Sequence, residues 1–325
     1  MICRDASSRA GRMTVFHTEP LRCFDLKHIC FGPTAKPGLP ALQPVAFCHP
    51  NCADVLSSNT LAYWVLERAG LDARSYRPEP LLRRVPACLR ALKVTDEAAA
   101  KRRIEEQPEL LRLAVSELLI GVTEFFRDPL VFEALRRHIL PALCRQRRPR
   151  VWSASCSNGA ELYSLAILLA EAGRLDHSVL LGTDCRADAI AEAHEAIYPA
   201  EAARLMDENL RSTYLSDCGG LYRVESSIRR GLKWKVSDLN TQVEKGPWDL
   251  ILWRNTSIYM TLEAARHVWQ QLASVLAPGG VVVAGTAERP PADLGLVSVG
   301  RCLFARIRST AREPNLFLCP LLEAS

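Results

Sequence analysis

The chain has 325 residues, 48% apolar and 24% charged, which suits a folded globular protein of one large domain or two smaller ones. Its net charge of +5, from 41 basic and 36 acidic residues, is compatible with an acidic partner, but no nucleic-acid-binding motif is present. No apolar run reaches the ~18–20 residues of a membrane span and the start lacks the apolar core of a secretory signal, so no membrane insertion and a cytoplasmic location are expected.

Residues 1–56 mix Pro, Gly, Cys and Ser without lasting periodicity. They read as an irregular or disordered extension, or as an upstream start with Met13 as a later one. Five of the twelve cysteines crowd into this stretch. Cys48-His-Pro-Asn-Cys52 with Cys23 and Cys30 can be drawn as a metal site, but the spacing matches no regular zinc pattern and no metal is expected. The other seven, Cys88, Cys144, Cys156, Cys185, Cys218, Cys302 and Cys319, are scattered singly, the pattern of buried small hydrophobes in a reduced compartment.

From residue 57 to 120 the texture is helical. Leu61–Gly70 reads as a short amphipathic helix closed by Gly. A basic helix starts at Pro80, with Pro86 expected to kink or restart it. Thr95 is the expected N-cap of a third helix, and Pro108 opens a fourth, running through Leu110, Leu111, Leu113, Ala114, Leu118 and Leu119. Gly121-Val-Thr-Glu-Phe-Phe-Arg-Asp-Pro129 is a compact junction in which Phe125 and Phe126 are expected to wedge between domains and Arg127 projects a fixed positive charge. Leu130–Leu143 is a further amphipathic helix.

Val151-Trp-Ser-Ala-Ser-Cys-Ser-Asn-Gly-Ala-Glu-Leu-Tyr-Ser164 has the order strand, small-residue turn, helix. Such a turn lets a nucleotide-like ligand approach the backbone, although a single Gly also occurs in βα loops for packing alone. Val179–Asp184 is a second strand ending in an acid, 25 residues beyond Gly159. An acid there can accept both hydroxyls of a ribose, or can cap the helix Ala187–Ala196. Residues 210–236 interrupt this rhythm. Leu221–Val224 and Leu232–Val236 alternate apolar and polar around the turn Asp217-Cys-Gly-Gly220, and predict a small antiparallel β insertion. Trp248–Trp253, Val281–Gly285 and a late strand from Gly300 complete a doubly wound, mostly parallel sheet, with the helix Leu262–Leu276 between the first two. The domain is expected to span 121–310, with 311–325 as a tail.

Several of these stretches, in this order, resemble the chemotaxis-receptor glutamate methyltransferases (CheR-type), over about Leu61 to Arg308. Thr123-Glu-Phe-Phe-Arg127 resembles that family's Asn-x-Thr-x-Phe-Phe-Arg, and Trp152–Ser164 its Trp-Ser-Ala-(Ala/Gly)-Cys-Ser-Thr-Gly-Glu-Glu-Pro-Tyr-Ser. Gly182-Thr-Asp184 resembles (Ala/Gly)-(Thr/Ser)-Asp, and Arg254-Asn-Thr-Ser-Ile-Tyr259 resembles Arg-Asn-Val-x-Ile-Tyr. The resemblance implies a Rossmann-like class I methyltransferase fold, S-adenosylmethionine as cofactor without a metal, and S-adenosylhomocysteine as product. It further implies methylation of glutamate side chains on the cytoplasmic domain of a chemotaxis-type receptor, by a monomer whose β insertion lies where the family carries a receptor-docking subdomain.

By resemblance, Thr123 and Arg127 hold the methionine end, Glu161 takes its ammonium and Asp184 the ribose. Asp238 and Leu239 meet the adenine edge, Asn255 and Thr256 form the strand-end wall, and Arg127 and Tyr259 orient the incoming glutamate as the catalytic pair. Other readings stand beside these: Arg127 and Glu161 as a structural ion pair, and Tyr259 as a core aromatic. The sequence also departs from the family. Gly121 stands for Asn, Ala160 for the first of two acids, Leu162 for Pro, Arg186 for a frequent acid, Asp238 for Asn, and Thr286-Ala-Glu288 for His-Ser-Glu. Pro86, Ala87 and Cys88 fall where arginines are common. These departures keep open a binding or regulatory module without turnover, and a small-molecule methyltransferase is a third reading.

Overall fold

The computed structural model describes residues 60–306 except 120 and 122. The 1–56 extension with Met13 and its cysteines, and the tail with Cys319, lie outside the described residues.

Five short helices come first: Leu61–Arg68 (α1), Pro78–Leu82 (α2), Val85–Ala91 (α3), Glu97–Glu106 (α4) and Leu110–Leu118 (α5). Pro86 does restart the helix, since a proline is tolerated in the first turn, where its missing N–H has no partner to lose. The cap of α4 is Asp96 rather than Thr95, its Oδ1 accepting from Ala99 N at 2.8 Å. These helices enclose their own apolar core, with Leu61, Leu66, Leu92 and Ile104 buried. Glu97 ties the unit together by accepting from the Leu61 N–H at 2.6 Å.

Pro129–Ala134 (α6), a π turn over Leu135–Ile139 and Leu140–Arg145 (α7) follow one another without a break. The π turn falls where Pro141 removes an N–H from the regular ladder. Phe125 and Phe126 do not wedge between domains. The chain enters the left-handed region at Phe126 and Asp128, and both rings turn into the main core, edge-on to Tyr198 and Phe132.

The main sheet has seven strands: Arg150–Ala154 (β1), Val179–Asp184 (β2), Leu232–Val236 (β6), Trp248–Trp253 (β7), Leu276–Ala284 (β8), Leu296–Gly300 (β9) and Leu303–Arg306 (β10). Their order is β6-β2-β1-β7-β8-β10-β9, and β10 alone runs opposite to the other six, antiparallel to both β8 and β9. The chain builds outward from β1 to β6, then crosses back to β7 on the other side of β1. That reversal opens a crevice beyond the carboxyl ends of β1 and β7. Ala160–Glu171 (α8), nearly all of it buried, Ala187–Glu195 (α9) and Leu262–Val275 (α10) are among the helices covering the faces.

The antiparallel insertion differs from the expected one. Its three strands are Ile197–Pro199 (β3), Leu215–Asp217 (β4) and Leu221–Val224 (β5), in the order β3-β5-β4. Leu232–Val236 instead joins the main sheet as an edge strand parallel to β2. An edge strand alternates apolar and polar just as a hairpin strand does, so the pattern alone does not separate them. Trp234 on this strand packs so closely that a Cβ at Gly182 would lie 2.4 Å from its ring, and one at Gly159 2.6 Å. Cys218 in the turn is exposed, unlike buried Cys88, Cys156 and Cys302. Gly182→Ala is expected to cost about 1–3 kcal/mol by overpacking against Trp234; an unchanged midpoint in denaturant unfolding would show that the indole yields freely.

Candidate functional site

The loops leaving β1, β2, β6 and β7 meet helices α2 and α5 around a cavity of about 360 Å³. Thr123, Arg127, Glu161, Asp184, Asp238, Leu239, Asn255, Thr256 and Tyr259 all line it. Every site residue singled out from the sequence therefore opens into one space.

The backbone around this cavity is unusual. Ser155, Ser157 and Asn255 have φ of 59°, 52° and 57°, a region that non-glycine residues enter at a cost. The turn after β1 is held by Cys156 N donating to Thr183 O at 2.8 Å and by the Tyr198 hydroxyl donating to Asn158 O at 2.6 Å. Gly159 (φ 86°) serves packing on Trp234, and the ligand-facing part of the turn lies before it, where Ser155, Cys156 and Ser157 line the cavity.

Glu161 is bound by Arg254. Arg254 Nη1 donates to Glu161 Oε2 at 2.9 Å, and the Ser153 hydroxyl donates to Oε1 at 2.9 Å. Arg254 Nη2 also donates to Asp128 Oδ2 at 2.7 Å and to the Arg127 carbonyl at 2.8 Å. Its guanidinium, 1% exposed, lies 5.4 Å from the Phe132 ring centre. Arg254 opens the stretch Arg254–Tyr259, yet nothing in the sequence connects it with Glu161, 93 residues earlier.

Asp184 does not cap the following helix, whose N-cap position is Arg186. Its Oδ2 accepts from Ser157 N at 2.8 Å, and its Oδ1 from Arg186 N at 3.0 Å and Nε at 3.3 Å. Asp238 makes a tight turn, Oδ1 accepting from the backbone and side-chain nitrogens of Asn240. Its Oδ2 is buried with no partner among the described residues. Burial raises the Asp238 carboxyl above the ordinary range, against the opposing effect of the Asn240 bonds. A buried acceptor at this place can take a donor from water or from a ligand in the cavity. Burial, with Asp184 adding to it, also raises the Cys156 and Cys185 thiols, so neither is a thiolate at neutral pH.

Glu288 shapes the far wall. Only 2% exposed, it accepts from the N–H groups of Asn255, Thr256, Ser257 and Gly285 and from the Ser257 hydroxyl, all at 2.7–2.9 Å. This carboxylate holds the loop after β7 in its strained course. The same loop is joined to the helical unit: Arg77 N donates to Tyr259 O and Thr261 N to Ser75 O, both at 2.9 Å. Tyr76, between them, is buried and lines the cavity with Leu81, Leu118 and Leu119. No periodicity or motif marks Tyr76, because its place depends on this long-range pairing.

A mostly parallel sheet with one reversed strand near its edge, and a cavity at its switch point, define a doubly wound α/β protein with a ligand site beyond its strand ends. Residues 121–297 match the family model described as CheR methyltransferase, SAM binding domain. The chain is 30% identical over 241 residues to the chemotaxis protein methyltransferase of Listeria monocytogenes, covering 73% of this chain and 92% of that one. It is 31% identical over 189 residues to that of Vibrio parahaemolyticus, covering 55% and 69%. With chemotaxis protein methyltransferase 1 of Pseudomonas aeruginosa it shares 30% over 200 residues, covering 58% and 73%. The chain belongs to the CheR methyltransferase family.

Glu288→Gln turns an amide NH2 toward N–H donors. It is expected to cost about 3 kcal/mol in denaturant unfolding; a wild-type midpoint would show that the loop holds itself. For Asp238 the sign follows from burial. Its carboxyl ionises less readily folded than unfolded, so this contribution to stability is lost as pH rises from the ordinary carboxylate range through the raised value. Asp238→Asn keeps an oxygen for Asn240 and is expected to melt above wild type at neutral pH. The gap should close as pH falls to the ordinary carboxylate range, and a pH-independent gap would contradict the burial argument.

Proposed function

We propose that this protein methylates glutamate side chains of a chemotaxis-type receptor, giving the γ-methyl ester and S-adenosylhomocysteine. The observation that carries the reading is the convergence of all nine residues on one cavity, with an Asp238 oxygen in its wall that has no partner among the described residues. The names of the bacterial relatives support a chemotaxis substrate.

The residues present fit S-adenosylmethionine. Asp238 offers a buried acceptor suited to an adenine amino group, and Leu239 an apolar surface beside it. Asp184 Oδ2, with one bond from Ser157, keeps accepting capacity for a ribose hydroxyl, while Oδ1 already takes two bonds from Arg186. Glu161, pre-set by Arg254 and Ser153, is the acidic partner for an ammonium, while Thr123 and Arg127 serve the carboxylate. Asn255 and Thr256 wall the strand end. When bound, the cofactor supplies a methyl group on a sulfonium, an activated leaving group. A glutamate carboxylate is already a nucleophile at neutral pH, so its oxygen takes the methyl carbon without any proton transfer. The task of the chain is alignment and exclusion of water, with Arg127 and half-buried Tyr259 orienting the carboxylate and the helical unit covering the site.

The test uses labelled cofactor, receptor-bearing membranes and alkali-labile counts as the sign of an ester. Wild type is expected to transfer label, Arg127→Ala to lose at least about tenfold in transfer with a smaller loss of stability, and Asp184→Asn to bind S-adenosylhomocysteine about tenfold more weakly. Alkali-stable label would reject the ester. Absence of S-adenosylhomocysteine binding would reject the enzyme in favour of a regulatory module.

A further inference from the structure

Two of the departures noted in the sequence, Gly121 and Arg186, meet in space. A Cβ placed on Gly121 would lie 1.9 Å from Arg186 Nη2, 2.5 Å from its Cζ and 2.6 Å from Ser157 Oγ. The guanidinium thus fills the volume that any side chain at position 121 would need. Gly121 is outside the left-handed region, so backbone shape does not call for glycine here; the close approach of the guanidinium does.

The filling group is built into a circuit. Arg186 is buried, and its Nη2 donates to Ser157 Oγ at 2.9 Å and its Nη1 to Leu119 O at 3.3 Å. Its Nε and backbone N both reach Asp184 Oδ1. Ser157 closes the ring, its N–H donating to Asp184 Oδ2 at 2.8 Å and its hydroxyl to Gly121 O at 2.5 Å. Both carboxylate oxygens are therefore fixed from within the chain, and the junction, the turn after β1 and the end of α5 are fixed with them.

We propose that Arg186 is a positioning residue for cofactor binding, replacing a side chain at position 121 as the group that orients the Asp184 carboxylate and closes the wall beside it. Gly121 and Arg186 are then a matched pair, and neither can change alone without cost to affinity. This rests on Asp184 as the ribose-binding acid. Charge-assisted bonds from a planar donor set hold a carboxylate in one rotamer, so the ligand meets it already ordered.

S-adenosylhomocysteine is titrated calorimetrically into wild type, Arg186→Ala, Gly121→Asn and the double variant, with thermal melts of each. Each single variant is expected to bind about tenfold more weakly, and the double variant to recover to within about threefold of wild type. Recovery is a readout that loss of packing alone does not give. Should Arg186→Ala fail to fold, Gly121→Asn, which keeps every existing group, and the double variant carry the comparison. Wild-type affinity in Gly121→Asn, or a loss in the double variant equal to the product of the single losses, would overturn the proposal while leaving the cofactor reading intact. No binding by wild type would overturn both.

Discussion

The site depends on one buried cation. Arg254, at the carboxyl end of β7, contributes a guanidinium that is almost wholly removed from water. Removing such a charge from water costs several kcal/mol, which only well-placed partners offset. Glu161 from α8 and Asp128 from the junction before α6 supply them, and the Arg127 carbonyl adds a third acceptor. Three segments distant in sequence must reach their native places together for this charge to be satisfied. The network therefore sets the floor of the cavity and the anchor from which the Arg127 side chain extends. Loss of both carboxylates would leave the cation buried without a counter-charge, at a cost of about 3–5 kcal/mol.

Glu288 does for the opposite wall what Arg254 does for the floor, with the sign reversed. A single anion gathers backbone donors from a loop that forms no ladder of its own, and those bonds offset the left-handed Asn255. Between the two, the strand-end loops have little freedom left, which suits a reaction in which alignment supplies most of the acceleration.

Much of this is legible in the sequence, and the rest is hidden for physical reasons. β1 and β7 are buried on both faces over most of their length, so their apolar runs are unambiguous. The motifs around Thr123, Glu161, Asp184 and Asn255 are local, and a local pattern survives without knowledge of the fold. Leu232–Val236 departs from its expected place because alternation reports one exposed face, not which sheet a strand joins. Ile197–Pro199 has three residues, too few for any period. Asp96 displaces Thr95 as a cap through a one-residue shift that composition does not resolve. Arg254, Tyr76 and the Gly121–Arg186 contact are out of reach because each is defined by a partner far along the chain.

The join between the helical unit and the loop after β7 has a consequence for what a bound ligand does to the helices. The backbone bonds of Ser75 and Arg77 to Thr261 and Tyr259 make the roof and the wall one mechanical piece. Tyr76, Leu81 and Leu118 of that roof line the cavity, so a ligand that touches them and the wall together opposes displacement of the helices.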